Sequence, residues 1–133
     1  METSKLKELS KRYDLKGTDF HLQSYSGKQV PFMKKSGIDK IQAIENIDID
    51  FEPIQSLCIP NQNVALKVTA KWNDKIFHTI GEANTKNSKV PYLGCMAENR
   101  GRGRAILSLC GFAKEGVFFS ETKWEADELN NSK

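Results

Sequence analysis

The residues best suited to chemistry are three arginines separated by single glycines, in the run 99–104, Asn-Arg-Gly-Arg-Gly-Arg. A guanidinium presents a planar fork of N–H donors that matches two phosphate oxygens. In a helix, Arg100 and Arg104 lie one turn apart on one face, while Arg102 points elsewhere. In a loop, the same residues would form a flexible Arg-Gly segment, which is also common in nucleic-acid binders. The run predicts phosphate binding, against the alternative of a solvated helix face.

Groups for nucleophilic or acid–base catalysis are sparse. The two histidines, His21 and His78, have no zinc-ligand spacing, and no Cys-x-x-Cys pair occurs. The cysteines are expected to act as small buried hydrophobic residues rather than as a metal site or a disulfide framework. They are Cys58, Cys95 and Cys110. A dyad of His78 and Cys95 is an alternative without local support. We therefore predict a protein that is not an enzyme, with no cofactor and no metal.

Two charged pairs are further candidates for ligand sites. Asp48 and Asp50 share one face of a predicted strand and could hold Mg²⁺, although such a pair more often faces solvent or neighbouring lysines. Lys34 and Lys35 precede a helix predicted to begin at Ser36. Free amides and the helix dipole attract phosphates to a helix N-terminus. A second anion site there competes with a simple solvated helix start.

Composition and charge restrict the class of protein. The 133 residues suit one domain, and 38% hydrophobic with 28% charged residues is an ordinary globular composition. No apolar run is long enough to span a bilayer and no signal region precedes the first helix, so a cytoplasmic location is expected. Residues 61–114 carry nine basic and three acidic side chains. We predict a domain over 1–120 and an acidic, disordered tail over 121–133.

Periodicity predicts an α+β fold. The expected core is a small antiparallel sheet with a β-hairpin, packed against a long C-terminal helix. Ser36, with Asp39 three residues later, resembles a capping box. The predicted elements are a helix over 5–13, strands within 20–33 around Ser26-Gly27, a helix over 36–47, a strand over 47–51, a hairpin over 64–81, a helix over 92–112 and a last short element at 118–119.

The hairpin has a register that can be derived from its turn. With Asn73-Asp74 as a two-residue loop, Trp72 faces Lys75 and Ala70 faces Phe77. One face then forms part of the core, and its residues are Leu66, Val68, Ala70, Trp72 and Phe77. The other face is basic but carries two isoleucines, and its residues are Lys67, Thr69, Lys71, Ile76, His78 and Ile80. That mixed face is expected to bind a ligand by stacking or to be partly covered by another subunit.

The order of these elements resembles that of the single-strand annealing recombinases, which include the eukaryotic strand-annealing repair protein and its phage relatives of the Sak type. The resemblance covers about residues 28–112. It rests on 29–33 with the helix that follows, on the hairpin ending in Ile-Gly-Glu-Ala at 80–83, and on the arginine-containing helix from 96 to 111. It implies a β-β-β-α unit preceded by a strand and a helix, and a groove for single-stranded DNA between hairpin and helix.

Carried over by position, Arg100 and Arg104 would contact phosphates from the helix, with Lys67 and Lys71 on the hairpin side. We predict a single-stranded DNA-binding protein of phage or bacterial origin that anneals or protects strands in homologous recombination, as a homo-oligomeric ring or filament without a membrane. The predicted binding residues are Arg100, Arg104, Arg102, Lys67, Lys71, Lys34 and Lys35.

Two other functions stay open at the level of the sequence. One is an α+β domain that binds RNA or a duplex by shape and phosphate contacts. The other is a small adaptor or inhibitor that binds a host protein through the acidic tail and Trp124. Binding to nucleic acid that weakens steeply with salt separates the first two functions from the third.

Overall fold

The structure is a computed structural model that describes residues 4–88 and 92–121. Of the acidic tail predicted over 121–133, residues 122–133 lie outside the described residues and Glu121 is described. None of the described helices is long and apolar enough to cross a membrane. The described helices and strands are α1 (Ser4–Arg12), β1 (Phe20–Tyr25), β2 (Lys28–Met33), α2 (Lys35–Glu45), β3 (Asp48–Pro53), β4 (Asn63–Trp72), β5 (Lys75–Asn84), α3 (Leu93–Leu109) and β6 (Phe118–Phe119).

The strands form two sheets, and the predicted α+β class is confirmed. The order of the larger sheet is β3-β4-β5, all antiparallel, and α3 packs on it. The smaller sheet has the order β1-β2-β6, with β6 parallel to β2. The larger sheet with α3 is the predicted antiparallel sheet packed against a long helix. The smaller sheet gains its third strand from β6, which follows α3 in the chain and pairs with β2, with Met33 beside Phe119.

The hairpin of β4 and β5 has the predicted register. Trp72 pairs with Lys75 and Ala70 with Phe77, which confirms the register derived from the turn. Asn73 takes a positive φ of 57°, which asparagine tolerates better than most residues. One face of this hairpin is buried around Val68 and Ala70, and the lysines of the other face are exposed.

Glycines set the distance between α3 and the larger sheet. Gly81 of β5 and Gly101 of α3 lie back to back, and a Cβ on Gly101 would collide with the Val68 side chain. Gly103 faces the ring of Phe119, where a Cβ would lie 2.5 Å from the nearest ring carbon. The glycines that interrupt the arginine run therefore reduce helix propensity but allow α3 to lie directly on its neighbours. The run is helical throughout.

The start of α2 differs from the prediction. The helix begins at Lys35, with Lys34 as the N-cap residue, so Ser36 lies inside the first turn. The Ser36 hydroxyl donates to Asp19 Oδ1 at 2.6 Å and does not cap the helix. A capping box needs the serine at the N-cap position, which Lys34 occupies, so the predicted capping box is wrong.

The cysteines differ from one another in burial. Cys110 is buried in the core, where burial raises the pKa of its thiol to about 11. Cys58 is half-buried, and Cys95 is exposed. The expectation of three buried cysteines is wrong for Cys95 because Cys95 lies on the solvent side of α3, while Leu93, Met96 and Ala97 of the same turns are buried.

Candidate nucleic-acid interface

Arg104 brings the helix charge to the open face of the larger sheet. Its side chain crosses the edge strand β5, where Nη1 donates to the Ile80 carbonyl at 2.7 Å. There it lines a depression of about 640 Å³, which we call the basic depression. The lining residues are Ile54, Lys67, His78, Thr79, Ile80 and Arg104. Of the predicted binding residues, Lys67 and Arg104 are thus brought together.

The guanidinium of Arg104 is paired with a carboxylate that no sequence pattern predicted at this position. Nε and Nη2 of Arg104 donate to the two oxygens of Glu121 at 2.9 and 2.8 Å, a bidentate ion pair. The Arg104 side chain is still 37% exposed. The carboxylate accepts from the same two N–H groups that would bind a phosphate. A phosphate at Arg104 therefore competes with Glu121.

Arg100 has a different position from the one expected of a phosphate ligand. It is 3% exposed and donates to the Glu82 carbonyl, to the Asn87 side-chain oxygen and to the Asn87 carbonyl at 2.7–2.9 Å. These bonds join α3 to β5 and to the turn that follows it. Arg100 and Arg104 lie one turn apart in α3, so their Cα atoms share one helix face as predicted. Arg100, however, is covered by the turn at 84–87, and its N–H groups donate to acceptors inside the protein.

Three other predicted binding residues, one in α3 and two at the start of α2, lie away from the basic depression. Arg102 contacts Asp39 at 2.8 Å and Gln42 at 2.9 Å, and so links α3 to α2. Lys35 pairs with Asp39 at 3.0 Å, and Lys34 is the N-cap residue of α2. None of these three cations lines the basic depression. They stabilise the contact between helices or lie at the start of α2.

Acidic residues of β3 accompany the lysines of the open face. In the strand register, Asp48 lies opposite Lys71 and Glu52 lies opposite Lys67. Directly opposed residues in a sheet share a face. The face is therefore less positive than the hairpin sequence alone indicates. Lys71 does not line the basic depression, so Lys67 is the hairpin lysine that joins Arg104.

His78 also lines the basic depression, beside Lys67 and Arg104. The sequence predicted it on the open face but not as a binding residue. Its Nδ1 lies 3.1 Å from Thr69 Oγ1 on β4, and its ring is exposed beside Lys67 and Ile80. An exposed aromatic ring next to cations is a surface on which a base can stack. The register of the hairpin was sufficient to place His78 here.

A second concavity, which the sequence analysis did not predict, adjoins Arg104 on the other side. This aromatic groove has a volume of about 820 Å³ and lies between the smaller sheet and the C-terminal half of α3. Four aromatic side chains line it, and they are His21, Phe32, Phe118 and Phe119. A two-residue loop at Ser26-Gly27 pairs His21 with Phe32, a register that the sequence analysis did not derive. The parallel pairing of β6 has no local signal, so Phe118 could not be placed.

The chain was compared with protein-family models, with curated proteins and with solved structures. None of these comparisons gave a match. Within 4–88 and 92–121, no group of three or more His, Cys, Asp or Glu side chains lies close enough to hold a metal ion. The function must therefore be argued from the side chains that line the basic depression.

Proposed function

We propose that this protein binds single-stranded DNA and anneals or protects complementary strands, as the resemblance to single-strand annealing recombinases implies. The observation that carries the proposal is the meeting of Arg104 from α3 with Lys67 from β4 in the basic depression. Two cations from different elements, with an exposed histidine and two isoleucines between them, suit a flexible strand better than a compact anion. Phosphates would contact the cations, and bases would contact the apolar and aromatic residues.

The mechanism is electrostatic and needs no bond to be broken. Arg104 and Lys67 neutralise phosphates and release counterions from the strand. Contacts made to the backbone leave base edges free to pair with a second strand. Glu121 competes with the phosphate for Arg104, so binding is weaker than that of an unpaired arginine and a strand can be released.

Assembly and location follow the same proposal. A ring or filament of identical chains would join the short basic depressions into a continuous groove. Ile76, near the turn of the β4–β5 hairpin and 60% exposed, supports a contact of this kind. A cytoplasmic location agrees with three cysteines that are free thiols. Phage or bacterial origin is what the resemblance implies.

The first experiment measures binding of a fluorescent oligothymidylate by anisotropy at several salt concentrations. We expect affinity to fall steeply with salt, with a slope of about −0.7 per phosphate contact. Arg104→Gln and Lys67→Gln should each weaken binding and reduce the magnitude of the slope by about 0.7. Lys28→Gln is the matched control, because Lys28 is exposed at the other hairpin turn and lines neither concavity.

Annealing is then followed with two complementary labelled strands. The wild type should accelerate annealing and Arg104→Gln should not. Absence of binding at low salt, or equal loss in the Lys28 control, would contradict the proposal and direct the search to a protein partner. Equal affinity for an RNA strand of the same sequence would show that the site reads the phosphate backbone and not the sugar.

A further inference from the structure

The aromatic groove has a continuous row of rings across the smaller sheet. His21 pairs with Phe32 in the register of β1 and β2, and Phe32 pairs with Phe118 in that of β2 and β6. The ring centroids lie 5.2 Å apart in the first pair, with nearly parallel planes, and 5.8 Å apart in the second. A flat ligand that enters the groove therefore meets an aromatic surface built across three strands.

Phe118 is the exposed end of this row. Strand alternation places Phe118 and Phe119 on opposite faces, with Phe119 buried against Gly103 of α3. Packing of Phe119 holds β6 in position, and Phe118 is left 56% exposed at the rim of the groove. An exposed aromatic ring on an ordered strand loses little conformational entropy when a ligand stacks on it.

The groove also contains a polar group that lacks a partner. Ser120 lines the groove and is 1% exposed, and its hydroxyl makes no hydrogen bond with any residue that the structure describes. A buried hydroxyl without a partner is destabilising, and most such groups in proteins are paired. Rotation about one bond turns the hydroxyl, so a ligand with a polar edge can supply the missing bond.

Arg104 connects the groove to the basic depression, because its side chain lines both. A strand with one phosphate at Arg104 has the adjoining nucleotide within reach of the aromatic groove. A nucleobase has the properties that the groove requires, namely a flat aromatic face for the row of rings and a polar edge for Ser120.

We propose that the aromatic groove binds one nucleobase of the strand whose phosphate lies at Arg104, with the base stacked on Phe118. This inference rests on the proposed function and extends it, because it assigns a base-binding subsite on the side of Arg104 away from the open sheet face. Stacking of this kind tolerates any base, since every base has a π face.

The test compares two strands of equal charge and length, a thymidylate oligonucleotide of about 12 nucleotides and an abasic strand with the same sugar-phosphate backbone. Anisotropy at fixed salt should show wild type binding the thymidylate strand about tenfold more tightly. Phe118→Ala should weaken thymidylate binding about fivefold and leave binding of the abasic strand unchanged. A general loss of stability would weaken binding of both strands, so it would not produce a loss that depends on both the ring and the base.

Three further variants make the result specific. Phe118→Tyr keeps the ring and should keep the preference for bases. Phe118→Leu keeps an apolar side chain without the ring and should lose most of the preference. Leu22→Ala is the matched control, because Leu22 is 60% exposed on the same sheet but does not line the groove. Thermal unfolding of each variant verifies that it folds.

The outcomes are distinct. Equal wild-type affinity for the two strands, or loss of both affinities in Phe118→Ala, would overturn the base-binding subsite. Salt-dependent binding of the abasic strand by the wild type would still support the proposed function. A Phe118→Ala variant that changes only the oligomer mass in light scattering would assign the groove to a contact between copies and would also overturn the subsite. No binding of either strand would overturn the proposed function, and the subsite with it.

Discussion

Glu121 decides how much positive charge Arg104 offers to a phosphate. Its two oxygens occupy the guanidinium fork at 2.8 and 2.9 Å, and the same carboxylate lies 3.7 Å from Nε of buried Arg100. A single acidic residue therefore holds both arginines of the helix face. Without it, the proposed phosphate contact would be stronger but the protein would release a strand more slowly.

We expect Glu121→Gln to raise affinity for an oligothymidylate about fivefold at low salt, because the substitution removes one negative charge within about 4 Å of the bound phosphate. Anisotropy at several salt concentrations measures the gain, which should shrink as salt increases. Asp39→Asn is the control, because Asp39 pairs with Arg102 at 2.8 Å away from both concavities. Weaker binding by Glu121→Gln would show that the carboxylate positions Arg104 instead of competing for it.

At the scale of elements, the packing of α3 on the hairpin depends on positions without side chains. Gly101 lies against Val68 and Gly81, so the helix axis approaches the sheet more closely than a helix with alanine there allows. Gly94, in the first turn of the same helix, has nothing within 4 Å of where a Cβ would be. The same substitution therefore has opposite effects at the two positions.

Gly101→Ala should lower the free energy of unfolding by about 2 kcal/mol, because the overpacking cost exceeds the gain in helix propensity. Gly94→Ala should raise it by as much as about 1 kcal/mol, since propensity alone acts there. Urea unfolding followed by circular dichroism measures both. A stabilised Gly101→Ala variant would mean that the sheet and α3 can separate without cost.

At the scale of the whole molecule, Asp19 joins the smaller sheet to α2. Its carboxylate is buried, accepts from Ser36 Oγ and the Lys16 amide, and pairs with Lys40 at 2.7 Å. Burial alone raises the pKa of Asp19, but the bonds from Lys40, Ser36 and Lys16 together lower that pKa below its ordinary value. The folded state therefore favours the charged carboxylate more than the unfolded chain does.

The direction of the acid effect follows from this shift. The stabilisation by Asp19 is complete above the unfolded pKa of about 3.9 and is lost as the pH falls through the lower, folded value. Asp19→Asn should lower the free energy of unfolding by about 2 kcal/mol at pH 7 and have a smaller effect in acid. Urea unfolding between pH 7 and 3 measures the difference.

Asp14→Asn serves as the control for acid stability. Asp14 pairs with Lys16 at the surface, and Lys16 lowers the pKa of that carboxyl while both side chains remain in water. Exposed pairs contribute little to stability, so this variant should unfold like the wild type at pH 7. Equal behaviour of Asp14→Asn and Asp19→Asn would contradict the structural role given to Asp19.

Much of the fold was predictable because it depends on interactions between residues close in sequence. Alternating apolar residues and the turn at Asn73-Asp74 were enough for the register of β4 and β5, and therefore for the exposure of Lys67 and His78. Helical spacing placed Arg100 and Arg104 on one side of α3. Periodicity and turn chemistry act over a few residues, so the sequence shows them directly.

Only the tertiary structure decided which of these charges faces solvent. Arg100 is buried because the turn at 84–87 folds over it, and Arg104 is paired because Glu121 returns to α3 after β6. The row from His21 to Phe118 likewise depends on a parallel pairing between β2 and a strand far along the chain. Burial and pairing are set by groups distant in sequence, and no local pattern records which of them will meet.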